Sequence, residues 1–341
     1  MERIKQDLYR LCTAAGAAGL PEIVETCREL LREVMDSVET DAMGNLLATR
    51  HGADPSAPTL LLEAHLDEIG FLVTHIDDAG FVHVAAAGGV DERVLTAQPV
   101  IVHGDKPYGG VFCSTPPHLA KKDGDLPELA DRGIDVGMTA EEATRCIPLG
   151  SRVTFSPVVR ELGETRLTAK ALDDRAGIAA ILHCLRQLEG APAMHIAVAL
   201  CVQEELGCRG SVPATRNLQP DQAIVTDVSF GLTPDTTPYE CGKVGGGVMI
   251  GISPVLHTGM TKRLQALAEA NGIPQQTEVM GGLTGTDADQ ISRSHLGVPT
   301  ALLSIPLRYM HTPVEAVDLR DIAAVGNLMA AYIREGGAGN E

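Results

Sequence analysis

The sequence predicts an α/β fold: a mainly parallel sheet with helices on both faces, interrupted by a small β-rich inserted domain. Three observations carry this. From about Thr165 onward, apolar runs of strand length alternate with helix-length amphipathic runs, the pattern of a parallel sheet covered on both sides. From Phe71 to about Ser156 the texture changes to short β-like runs separated by Gly, Asp and Pro, as a compact β unit requires. The chain has 341 residues, 44% of them hydrophobic, enough for about two domains. The expected division is a discontinuous α/β domain over residues 1–69 and 164–341, with the insertion at 70–163.

Taken in order, MERIKQDLYR places Ile4, Leu8 and Leu11 at helical spacing. The LCTAAGAAGL that follows resembles a signal-cleavage region, but Glu2 and Asp7 precede it where a positive segment would be needed. PEIVETCRELLREVMDSV sets Ile23, Val24, Cys27, Leu30, Leu31 and Val34 on one helix face. GNLLATR and TLLLEAHLD read as strands. FLVTHIDDAGFVHVAAAGG, QPVIVHG, YGGVFCS and SRVTFSP are the β runs of the insertion, with a polar loop at KKDGDLPELADRG and one short helix at TAEEATRCI. Beyond them LTAKALDD leads into the helix RAGIAAILHCLRQL. Strands HIAVALCVQ and QAIVTDV follow, then GGGVMIGI, helix GMTKRLQALAEANG, strand PTALLSI and helix DLRDIAAVGNLMAAYIREG. There is no internal repeat, and the GGAGNE tail is expected to fray.

Composition excludes several classes. Lys plus Arg number 27 against 45 for Asp plus Glu, a net charge of −18. A chain so acidic repels phosphate backbones and anionic bilayers, so neither nucleic acid nor membrane is an expected partner. No apolar run approaches ~18 residues, so no spanning helix is expected. The eight cysteines are scattered without a Cys-x-x-Cys, which fits buried free thiols in a reducing cytoplasm better than disulfides or a zinc ribbon. CGKVGGGVMIG lacks both a Walker lysine motif and a true GxGxxG, and neither Ser114 nor Ser229 has a G-x-S-x-G context.

In open α/β sheets ligands gather beyond the carboxyl ends of the strands. Four apolar runs here lead into potential metal donors: His65, Asp67 and Glu68; Glu204 and Glu205; Asp227; and His311. A fifth acidic point, Asp173–Asp174, stands where a strand-like segment becomes a helix. Each has an ordinary reading alone, as an exposed loop pair, a helix cap or a turn residue. Together, two imidazoles and at least three carboxylates in one cleft with few cations would be costly without compensation. Divalent ions supply it. This donor set, with one bridging carboxylate, suits two ions about 3.5–4 Å apart, and Zn, Co or Mn rather than Cu(I).

At these residues the chain resembles the metallopeptidase family 42 aminopeptidases, the glutamyl-aminopeptidase and tetrahedral (TET) group. The matching stretches are GNLLA at 45–49, EAHLDEIGF at 63–71, PPHL at 116–119, ALDDRAGI at 171–178, QEELGCRG at 203–210, TDVS at 226–229, GTDAD at 285–289 and PLRYMHTPVE at 306–315. The resemblance implies a zinc-exopeptidase-like fold, with two divalent metal ions per subunit held by His65, Asp173, Glu205, Asp227 and His311. Asp173 would bridge, with Asp174 after it across a cis peptide. Asp67 would orient His65, and Glu204 would be the general base. It further implies an enzyme acting on short peptides, with the insertion joining dimers into a hollow dodecamer. Two departures stand out: TAAGAAGLPE replaces the family's Pro-Ser-Gly element, and Asp289 takes the place of a small residue at a possible substrate rim.

The rival functions are a metal-dependent amidase or carboxypeptidase on the same core, a glycan hydrolase, and a non-catalytic oligomeric scaffold. Adjacent Glu204 and Glu205 would project apart if extended, a poor way to flank one glycosidic bond.

Overall fold

The computed structural model describes residues 1–17, 19–116, 118–119 and 128–337. Pro117 of PPHL, residues 121–127 of the expected polar loop, and the last four residues of the expected frayed tail lie outside them. Among the described residues, the main sheet comprises β1 (Ser37–Thr40), β2 (Leu46–Arg50), β3 (Thr59–His65), β12 (His195–Cys201), β13 (Gln222–Phe230), β14 (Val248–Ile252), β15 (Gln275–Val279) and β16 (Thr300–Leu307). Their order across the sheet is β1-β2-β12-β3-β13-β16-β14-β15. The centre, β12-β3-β13-β16, is parallel. Antiparallel pairings join β2 to β12 on one side and β14 to β16 on the other.

Period-two alternation in β3 divides the core. Leu60, Leu62 and Ala64 pack on one face with α1 (Glu2–Thr13), α2 (Glu22–Arg32), α4 (Leu172–Arg186), α6 (Thr258–Ala270) and α8 (Leu319–Arg334). Leu61 joins Ala197, Ala199 and Val225 on the other, under α5 (Ser211–Leu218) and α7 (Ala288–Ile291). Burying each such Leu contributes roughly 1.5–3 kcal/mol. The same alternation puts Glu63 and His65 on the α5/α7 face. Helix α2 ends at Arg32, short of the expected Val38, because Ser37 and Val38 are taken into β1 opposite Thr49 and Ala48.

The β-rich block closes into a barrel of β4 (Gly70–Ile76), β5 (Val82–Ala87), β6 (Pro99–His103), β7 (Pro107–Phe112), β8 (Ile134–Asp135) and β9 (Arg152–Phe155). Its interior is filled by alternate residues such as Val82, Val84, Val100 and Val102. Phe71 meets Phe112 and Phe155 edge-on at 5.2 and 5.6 Å, so three of the chain's five phenylalanines serve this one core. The expected short helix is α3 (Ala140–Cys146), with Thr139 and Glu142 forming a capping box. A third, antiparallel sheet of β10 (Arg160–Leu162), β11 (Arg166–Ala169) and β17 (Glu315–Asp318) follows. The LTA of LTAKALDD therefore belongs to this small sheet, not to the main one. The glycine-rich stretch before β14 is a turn: Gly245 and Gly247 donate their backbone N–H groups to the Asp321 carboxylate.

Candidate active site

A cavity of about 1580 Å³ opens at the carboxyl end of the parallel strands, lined among others by Asp173, Glu204, Glu205, Asp227 and His311. His65 is the last residue of β3 and is buried; Glu204 and Glu205 follow β12; His311 lies between β16 and β17. Asp227 sits inside β13, which runs on three residues to Phe230 instead of ending at the acid.

Asp173 is the hub. Its Oδ1 lies 2.9 Å from His65 Nε2, and its Oδ2 lies 3.4 Å from His311 Nε2. Glu205 Oε2 is also 3.4 Å from His311 Nε2. The peptide between Asp173 and Asp174 is cis, and the two acids divide their work. Asp173 faces the cavity, whereas Asp174 accepts the Gly177 N–H at 2.8 Å and caps the continuing helix.

Both histidines present the same nitrogen. Nδ1 of His65 lies 3.0 Å from the backbone carbonyl of Asp67, and Nδ1 of His311 lies 2.8 Å from that of Gly89. A carbonyl can only accept, so each Nδ1 carries a proton; without metal each Nε2–H is directed at Asp173, and loss of that second proton would free the Nε2 lone pair for a metal ion. Gly89 has to be glycine here, since a Cβ would stand 2.8 Å from the His311 ring. The Asp67 carboxylate, 3.8 Å from His65 Nδ1, is engaged elsewhere: its Oδ1 accepts the Glu204 N–H at 3.0 Å. Asp67 thus holds His65 through its main chain and the Glu204 turn through its side chain. Gln203, at φ 61°, begins that turn, so Glu204 and Glu205 both line the cavity instead of diverging as an extended pair would.

The electrostatics follow from burial and crowding. Burial pushes Glu205 up to about 8, with Asp173 adding to the rise. Burial likewise raises Glu204 and Asp227. Burial opposes ionisation of Asp173 too, yet hydrogen bonds from His311 and His65 hold it well below the carboxylate range. The hydrogen bond with Asp173 lifts His311 to about 9.

Several neighbours escape sequence reasoning. Buried Glu315 accepts the backbone N–H groups of both Asp173 and His311, at 3.1 and 2.8 Å; its nearness to His311 in PLRYMHTPVE was the available signal. Glu68 and Lys170 form a buried ion pair at 2.6 Å. Behind the site Glu63, Cys201 and Asp287 come within 4.8 Å of one another, all buried. Asp289 accepts from Thr284 and Gly285 and shapes the cavity loop from within.

Oxygen and imidazole donors converging on one buried carboxylate, over the ends of a parallel sheet, form a set that could hold divalent ions, as the site of a metal-dependent enzyme does. The model of the M42 glutamyl aminopeptidase family matches residues 44–328. The chain is 34% identical over 338 residues to the lysyl aminopeptidase of Pyrococcus furiosus, covering 96% of each chain. Among solved structures, an aminopeptidase from the archaeon Desulfurococcus kamchatkensis superposes with a TM-score of 0.92 at 33% identity, over 98% of this chain and 95% of the other. The Pyrococcus horikoshii TET1 peptidase, which can assemble into a tetrahedron or a large octahedral shell, gives 0.86 at 29% identity, over 97% and 99%. The chain belongs to the M42 glutamyl aminopeptidase family and is a metallo-aminopeptidase. Among the described residues no helix is long and apolar enough to cross a membrane.

Proposed function

We propose that the protein is a dinuclear metal-dependent aminopeptidase that releases the N-terminal residue of short peptides. The pose of Asp173 carries this reading: each of its oxygens faces the Nε2 of a different histidine, as a shared ligand would. His65, Asp173, Glu205, Asp227 and His311 would hold two divalent ions, Zn, Co or Mn, and their nitrogen and oxygen donors fit all three. When bound, such ions supply Lewis acidity, acidifying a water and offsetting negative charge that develops on the scissile carbonyl.

The chain's own residues do the rest. Glu204, lining the cavity beside Glu205, accepts the water proton and returns one to the departing amine. Asp67 keeps Glu204 in place through its backbone N–H. A peptide's free α-amine meets Glu204, Glu205 and Asp227, an acidic surround that favours a cationic terminus over an acylated one.

The inserted domain at 70–163 would be the association unit, joining dimers into a closed dodecamer. The assemblies formed by the TET1 relative support this. Light scattering at micromolar concentration with metal present should find such an oligomer; only monomer would remove the idea. The eight free cysteines support a cytoplasmic setting.

The deciding experiment follows release of the N-terminal residue from free and N-acetylated short peptides. It uses metal-stripped protein, then protein resupplied with Zn, Co or Mn. Activity should return with metal and require the free amine. Cleavage of acetylated peptides would indicate an amidase or endopeptidase instead, and silence with metal bound would revive the glycan and scaffold readings.

A further inference from the structure

Glu278 has no part in the chemistry just described, yet its carboxylate reaches into the same cavity. It stands on β15 opposite Gly251 of β14, which contributes no side chain on that face. Ser304 donates to Glu278 Oε2 at 2.6 Å, and Ser229 donates to Oε1. Among the described residues no Lys, Arg or His lies within ion-pair distance of it, and the one Lys or Arg lining the cavity, Arg293, bonds to Gln290. A carboxylate has about four acceptor positions. Two are filled by hydroxyls, and the remainder face a half-buried cavity wall with no counter-ion.

The sheet register sets its distance from the reacting end. Ser304 is the direct β16 partner of Asp227, about 4.8 Å away at the backbone. Ser229 is two residues beyond Asp227 on the same face of β13, about 7 Å along the strand. A carboxylate held between these hydroxyls therefore stands roughly one long side chain from the point where the α-amine binds, since a lysine spans about 6 Å from Cα to Nζ. Met249, the register partner of Ser304 on β14, and Leu302 line the approach. An apolar sleeve ending in an acid complements methylenes ending in a cation.

We propose that Glu278 is the specificity-determining residue for the substrate's first side chain, selecting peptides that begin with Lys or Arg. This rests on the aminopeptidase reading above. A first-position Glu would meet like charge, and a neutral chain would leave the acid unpaired.

The test compares kcat/KM for lysyl, arginyl, norleucyl and glutamyl p-nitroanilides on metal-loaded enzyme. Norleucine keeps the length of lysine without its charge. The unmodified enzyme should favour lysyl over norleucyl by about tenfold or more, as for a charge-assisted hydrogen bond. Glu278→Gln should collapse that ratio toward one and leave the norleucyl value within about threefold. An unmodified enzyme preferring norleucyl or glutamyl substrates, or a folded variant that keeps the ratio, would overturn the proposal. Should the variant not fold, competitive inhibition of unmodified enzyme by L-lysinamide against L-norleucinamide decides, and equal inhibition overturns it. Release from neutral substrates without cation preference defeats this inference alone. No release from any free-amine substrate defeats the aminopeptidase reading itself.

Discussion

Replacing Lys170 with Met should destabilise the fold through a single buried charge. Lys170 Nζ lies 2.8 and 2.6 Å from the two Glu68 oxygens, and each side chain is only 2% exposed. Glu68 Oε1 also accepts the Gly16 N–H at 2.6 Å. Without the ammonium that one neutral donor must support a buried carboxylate. Breaking a buried pair from one side costs about 3–5 kcal/mol. With an unfolding entropy near 2.1 cal/mol/K per residue over 341 residues, that is a fall in Tm of about 4–7 °C. The effect should extend to the site, because Glu68 follows His65 and Asp67 while Lys170 precedes Asp173. The pair fastens the end of β3 to the start of α4. Scanning calorimetry on metal-stripped protein would measure Lys170→Met, Glu68→Gln and the double variant. The double should lose less than the two singles combined, as expected for groups in contact. A Lys170→Met variant melting within about 1 °C of the unmodified protein, or strict additivity, would refute the reasoning.

Glu204→Gln should retain bound metal by elemental analysis and lose ~10²–10⁴ in kcat, the usual contribution of a general base; full activity would remove Glu204 from that role. His311→Ala should hold less metal after dialysis than the unmodified protein, and equal content would exclude it as a ligand. In metal-free protein, Glu205 and His311 are raised to about 8 and 9, and Glu204 and Asp227 are raised as well. Groups whose folded values exceed their unfolded ones contribute stability that is lost as pH rises through the folded values. The depressed Asp173 acts the other way only at acid pH. Thermal melts of the metal-free protein should therefore fall between about pH 6 and pH 9, and added metal should stabilise more at the upper end. A metal-free melting temperature that climbs over this window would contradict the assigned crowding.

Much of the core was legible because local pattern and burial obey the same periodicities. Leu60, Leu62 and Ala64 alternate as a covered strand must, and Ile4, Leu8 and Leu11 recur at helical spacing. The candidate donors were legible because polar residues ending apolar runs are conspicuous. Glu315 was passed over although it stands four residues from His311, for nothing in its spacing reveals that it would brace two backbone N–H groups. Glu278 was invisible: QQTEV carries no apolar run to mark it, and its serine partners lie 26 and 49 residues away.

The sequence by itself determined the central strands and the long helices, that a β-rich block interrupts the α/β pattern, and which residue types could bind metal. These depend on neighbours three or four residues apart at most, so one dimension suffices. Only the tertiary structure decided that Asp173 faces the cavity while Asp174 caps a helix, and that Asp67 holds Glu204 through its side chain and His65 through its carbonyl. It alone showed that both histidines turn Nε2 inward. Such choices are made by strand order, register and loop closure between segments far apart in the chain, where a shift of one residue turns a side chain from the cavity into the core.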